Sequence, residues 1–252
     1  MVADRLILAD IWAHFDASAP PVPTSRPQRR RPVTKPDTDI IPEPCQLYLV
    51  IEPGPGAIDR LQAALQVAPV ASVLIAPRPG TKLGAGEVKP LVDLAQKANV
   101  AALLQDDARL ARTLKADGVH VSASSDVLAA YDEARGILGQ GGIVGVDAGN
   151  SRHDAMQAGE AGADYIAFGR PPADAEDYET REDLLAWWAE IFEIPCVGFD
   201  VSTAAEAAML ADTGAEFAAL ALPAGESLDD TIGRLRDIAA ILTRQAPSAA
   251  GD

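Results

Sequence analysis

A set of polar side chains in this sequence stands directly after short apolar runs: Glu52, Arg78, Gln105 with Asp106, Ser122, Asp147, Arg170 and Asp200. Gathered at one mouth, carboxylates of this kind can hold a hard cation, and Asp106 has the best placement for that role. The competing reading of Asp106 is an N-cap for the helix that follows it. Arg78 and Arg170 are the cations of the set and the candidates for contact with an anion. The three histidines form no cluster. His14 lies near the N-terminus, His153 falls in a helical run with an exposed aspect, and His120 sits inside an apolar run as a buried, hydrogen-bonded histidine. No nucleophile accompanies His120 in sequence. Cys45 and Cys196 lack metal-ligand spacing and suggest no disulfide framework. Cys196 reads as a small core residue.

The elements that must position these groups repeat with a regular rhythm. Strand-like runs fall at 46–52, 70–76, 100–105, 118–122, 142–148, 164–169, 195–200 and 217–222. Helical patterns lie between them, among them 87–98, 126–138, 151–161, 181–193 and 204–213, with a last one at 228–244. Nearly continuous apolar strands are those of a parallel sheet covered on both faces. Eight such units predict an α/β fold, a single (βα)₈ barrel of the TIM type, whose site lies at the C-terminal ends of the strands. An open doubly wound sheet is the weaker alternative. The turn after the first strand, IEPGPGAID, lacks a dinucleotide-binding glycine pattern.

Three segments are expected: an N-terminal arm over 1–44, the barrel over 45–246, and a disordered tail over 247–252. The arm is rich in proline and carries a basic cluster at Arg29, Arg30 and Arg31. It buries too little apolar surface to offset chain entropy, and reads as disordered, with docking to a protein partner as the alternative. The formal net charge is −16. Residues 1–44 contain six basic and six acidic side chains, so the whole excess sits on the remainder. Such a surface repels nucleic acid and anionic membrane. No membrane span and no secretory signal is expected, which makes the cytoplasm the default compartment.

Two strings, ADGVHVS at 116–122 and AGADYIAFGRPP at 161–172, followed by IPCVGFD at 194–200 and TGAEFAALALPAG at 213–225, resemble the thiamine-phosphate synthase and TenI-like family. The resemblance covers most of 46–225. It implies a barrel enzyme that joins a pyrimidine diphosphate to a thiazole phosphate and releases pyrophosphate. It also implies magnesium, a heterocyclic thiamine precursor as ligand, and association into homo-oligomers. A TenI-like isomerase acting on thiazole phosphate is the related alternative. It needs a phosphate loop and a histidine base that find no counterpart here.

Position by position, the resemblance assigns substrate contacts to Arg78, Gln105, Asp147, Arg170 and Asp200, and metal contacts to Asp106 and Asp126. Gln105-Asp106 matches an Asn-Asp pair, while Asp126 stands one residue beyond the second metal carboxylate. Arg78 falls where the family has a lysine. Asp147 replaces a serine. Asp174-Ala175-Glu176-Asp177 falls where hydroxyls and a lysine meet the diphosphate, and Asp200-Val201 replaces a phosphate-binding Gly-Gly. These departures raise a second expectation: a non-catalytic or regulatory barrel that binds a non-phosphorylated ligand or a protein partner.

Overall fold

The computed structural model describes residues 44–169 and 179–245. Most of the arm, the tail from residue 246, and Arg170, Asp174, Glu176 and Asp177 lie outside the described residues. Eight parallel strands close into a barrel in sequence order. They are β1 (Gln46–Ile51), β2 (Val70–Ile75), β3 (Ala101–Gln105), β4 (Gly118–Val121), β5 (Ile143–Asp147), β6 (Tyr165–Phe168), β7 (Cys196–Val201) and β8 (Phe217–Leu222). β1 pairs with β8 to complete the ring. Each strand is followed by a helix: α1 (Ala57–Val67), α2 (Ala85–Lys97), α3 (Ala108–Leu114), α4 (Val127–Leu138), α5 (Arg152–Ala161), α6 (Arg181–Ile191), α7 (Ala204–Ala211) and α8 (Leu228–Gln245). The expected strands therefore fall within a residue or so of the observed ones.

Strand alternation divides the buried residues into two cores. Leu47, Leu49 and Ile51 of β1, Val119 and Val121 of β4, Val144 and Val146 of β5, and Ile166 and Phe168 of β6 join the helix side chains in the outer core. Tyr48, His120, Tyr165, Ala167 and Ala219 are buried but outside that cluster, so they fill the barrel interior. This is the layered interior that a closed eight-stranded barrel requires. His120 and Cys196 are buried as expected, at 3 % and 0 % exposure.

The bottom of the barrel explains the short acidic strings. Asp117, Asp164 and Glu216 each immediately precede an even-numbered strand and accept an amide from the start of the strand before it. Asp117 takes Ala102 N at 2.8 Å, Asp164 takes Val144 N at 2.6 Å, and Glu216 takes Cys196 N at 2.8 Å. Strand-end amides that have no ladder partner are satisfied in this way. Asp164 also pairs with Arg135 at 2.6 Å, and Arg135 donates to the carbonyls of Gly139, Gly142 and Gly162. Ala-Asp-Gly, Ala-Asp-Tyr and Ala-Glu-Phe are thus one structural device used three times.

Candidate active site

The mouth is built where β3, β4, β5 and β7 end. Asp106 has a left-handed backbone, with φ of 55°. Its amide still donates to His120 O at 3.0 Å, while its Oδ1 accepts Ser122 N at 2.8 Å. Gln105 Nε2 donates to Ser122 Oγ at 2.9 Å. These bonds lash the end of β3 to the end of β4. The N-cap of α3 is the next residue, Asp107, whose carboxylate accepts Leu110 N at 2.9 Å. The capping reading of Asp106 is therefore corrected: the left-handed turn removes Asp106 from the helix end and presents it, exposed, at the mouth.

Asp147, the last residue of β5, follows Gly145 on the interior face. Its Oδ1 accepts Gly149 N at 2.8 Å. Burial, with further push from Asp200 and Asp106, raises its pKa from 3.8 to about 6 against the pull of its backbone hydrogen bonds. Carboxylates from just beyond β3 and from β7 therefore act on Asp147 at the end of β5. Asp200 reaches this group through an irregularity. The β7–β8 register shifts between Gly198 and Val201, and Asp200 adopts φ of 62°. Such a bulge re-aims a side chain out of the strand's alternation. A Cβ placed on Gly169 would stand 3.6 Å from Asp200 Oδ2, which puts the carboxylate at the top of β6 as well.

Beneath the carboxylates lies an aromatic floor that the sequence reading did not assemble. His120 Nδ1 and Tyr165 OH are 2.9 Å apart, and Tyr165 OH is 2.9 Å from Tyr48 OH. Phe199 closes the group, its ring centroid 5.1 Å from His120 and 5.5 Å from Tyr48. Gly145 makes room for it: a Cβ there would stand 1.9 Å from the Tyr165 ring. Burial pulls the His120 pKa down to about 4, so its imidazole is neutral at neutral pH. Burial likewise pushes both tyrosine hydroxyls up, so they remain protonated. The signal for this cluster was present in the inward parity of His120, Tyr48 and Tyr165, but its partners are separated by 45 and 117 residues in sequence.

The remaining candidates divide. Arg78 is exposed, and its Nη1 donates to Pro53 O at 3.0 Å, which ties it to the β1–α1 turn. Asp126 precedes α4, is exposed, and makes no side-chain capping bond. Arg170 lies outside the described residues. Among the described residues, no group of three or more His, Cys, Asp or Glu side chains could hold a metal ion. A magnesium ion that keeps most of its water shell needs only one or two protein carboxylates rather than an all-protein cage. Among the same residues, no helix is long and apolar enough to cross a membrane.

The family model described as "Thiamine monophosphate synthase" matches residues 47–222. A thiamine-phosphate synthase of Rhodospirillum centenum is 39 % identical over 186 residues, covering 70 % of this chain and 87 % of the relative. One from Erythrobacter litoralis is 40 % identical over 139 residues, covering 52 % of this chain and 63 % of the relative. Among solved structures, a thiamine phosphate pyrophosphorylase from Pyrococcus furiosus superposes with a TM-score of 0.65 at 19 % identity, covering 79 % of this chain and 96 % of that one. That likeness shows the fold. The match from the first strand to the last places this chain in the thiamine monophosphate synthase family.

Proposed function

We propose that the protein is a thiamine-phosphate synthase with an unusually acidic mouth. The observation that carries this reading is the 39 % identity to a curated synthase across 87 % of that relative's length. In this reaction the bond between the pyrimidine methylene and its diphosphate breaks. The thiazole nitrogen forms a new bond to that methylene, and pyrophosphate leaves. Asp106 and Asp126 would hold magnesium, which when bound offsets charge on the diphosphate. Gln105, fixed by Ser122, offers its remaining amide capacity to the pyrimidine. The neutral His120, Tyr165 and Tyr48 form an uncharged floor that supports a flat heterocycle and excludes water. Arg78 and Arg170 are the cations available to phosphate groups.

A specific observation favours a second reading. Asp147 replaces a serine and Asp200 a phosphate-binding glycine of the family pattern, and the Asp200 charge adds to the raised pKa of Asp147. Carboxylates facing a phosphate repel it. In that case the barrel binds a neutral or cationic heterocycle and does not turn over. The test is incubation of the protein with the pyrimidine diphosphate, the thiazole phosphate and magnesium, with detection of thiamine phosphate. Product that disappears in Asp106→Ala supports the synthase. No product, together with tight binding of an unphosphorylated thiazole or pyrimidine, supports the second reading.

A further inference from the structure

The acidic mouth leaves open where an anionic group could be held, and the β1–α1 turn has the features for it. The turn reads Pro53-Gly54-Pro55-Gly56, and two guanidinium groups grip it. Arg78 Nη1 donates to Pro53 O at 3.0 Å, and Arg60 Nη1 to Pro55 O at 3.3 Å. Arg60 belongs to α1 but curls back toward the helix start, as helical side chains do. Its Nη1 lies 3.3 Å from where a Cβ on Gly56, the N-cap residue, would stand.

Arg60 is 5 % exposed, and its Nε and Nη2 are the buried side-chain polar atoms with no hydrogen-bond partner among the described residues. A buried guanidinium with two unmatched donors is an unfavourable arrangement that an anion would relieve. The helix it points to has 11 residues and no side-chain cap, because Gly56 has no side chain to offer. The Ala57 amide is taken by Gly54 O at 3.1 Å and Asp59 sits in the first turn as an opposing charge, so the Ile58 and Asp59 amides and the positive end of the dipole remain beside the exposed Pro55 and Gly56. Gly54 and Gly56 have φ of 145° and 72°, conformations that suit glycine and let an oxyanion approach backbone closely. Arg78 keeps its other donors at the surface. Unmatched cationic donors and an uncapped helix start thus meet in a chain whose net charge is −16.

We propose that the Pro53–Gly56 turn is an oxyanion site, in which Arg60, Arg78 and the first turn of α1 take a phosphate group. This rests on the family reading and assigns the phosphate end of a substrate to the β1–α1 side of the mouth, away from Asp147 and Asp200. The probe is inorganic phosphate at constant ionic strength, followed by calorimetry and by the melting temperature of the full chain, with pyrophosphate in parallel. The expected result is saturable binding that raises the melting temperature. Arg60→Met should weaken that binding roughly tenfold or more. It should also melt no lower than wild type without phosphate, since it removes an unpaired buried charge. Arg78→Gln, an exposed change, should weaken binding by a smaller factor.

Absence of saturable phosphate or pyrophosphate binding by the wild-type protein overturns the proposal, as does equal binding by wild type and Arg60→Met. The family reaction is scored separately. Thiamine phosphate formed with an unaltered KM in Arg60→Met sinks the site and leaves the synthase. Arg60-dependent phosphate binding without any product sinks the synthase and leaves the site.

Discussion

Replacing Asp147 by asparagine should stabilise the protein, and the gain should grow with pH. The carboxyl is raised from 3.8 to about 6 in the folded protein, chiefly by burial and then by Asp200 and Asp106. Between those values the folded state holds the proton and the unfolded state has lost it. The folded state therefore binds more protons, and stability falls as pH rises through this window. Above the folded pKa the penalty is complete, and the shift converts to about 3 kcal/mol at 1.36 kcal/mol per unit. Asparagine keeps an oxygen for Gly149 N, which Asp147 Oδ1 now accepts at 2.8 Å, and carries no charge to desolvate.

The assay is urea unfolding of both proteins without metal, followed by tryptophan fluorescence, at pH 5.0 and pH 7.5. Asp147→Asn should be the more stable at pH 7.5, by about 1 to 3 kcal/mol. That corresponds to a rise in melting temperature of roughly 2 to 10 °C for a domain of this size. Its advantage should shrink by about half at pH 5.0, where most of the wild-type carboxyl is protonated in the fold. An advantage of the same size at both pH values would show that charge at Asp147 is not what costs stability. A loss of stability at pH 7.5 would show that the carboxylate makes favourable contacts that outweigh its burial.

Three further outcomes follow from the same geometry. Gly145→Ala drives a methyl into the Tyr165 ring and should cost about 1 to 3 kcal/mol by overpacking, read as a lower urea midpoint. Tyr165→Phe leaves His120 Nδ1 and Tyr48 OH without their shared partner and should cost about 1 to 3 kcal/mol, whereas Tyr48→Phe, at the end of the chain, should cost less. Asp164→Ala strips Arg135 of its partly buried carboxylate and Val144 of its amide acceptor, a loss of about 1 to 3 kcal/mol in thermal unfolding, with little change in ligand affinity because the contact lies at the far end of the barrel.

The barrel was legible because its information is local. Strand parity and the spacing of apolar runs are properties of neighbouring residues, and a parallel strand buried on both faces announces itself within six positions. The strings that carried the family resemblance were legible for the same reason. Their acidic residues serve the strand ends at the bottom of the barrel, as Asp117, Asp164 and Glu216 do. The mouth was less legible. Asp106 and Asp107 are adjacent aspartates, and only the backbone decides which one caps α3; φ of 55° at Asp106 gives the cap to Asp107. Asp200 reaches the mouth through a register shift that no periodicity marks. Arg78 reads as an anion contact, yet one of its donors is engaged by a carbonyl 25 residues away in sequence.

These placements bear on how a phosphate-handling fold could retain its chemistry with an acidic mouth. Asp106, Asp147 and Asp200 stand at the ends of alternate strands, and the pKa of Asp147, raised first by burial, is pushed further by Asp200 and Asp106. A divalent cation or a proton relieves that repulsion; a phosphate placed against the carboxylates without either increases it. Cationic donors are concentrated instead beside β1, where Arg60 and Arg78 grip the Pro53–Gly56 turn. A substrate with an uncharged ring over the His120, Tyr165 and Phe199 floor and its phosphate toward β1 would rest on a neutral surface at one end and meet cationic donors at the other. The reverse orientation would set its phosphate against Asp200. Arg60→Met and Asp200→Gly therefore make opposed predictions for one measurement, the KM for the phosphorylated substrate: the first raises it, and the second lowers it or leaves it unchanged. If both substitutions raise KM alike, the phosphate is not divided between these two sides in the way the charges suggest.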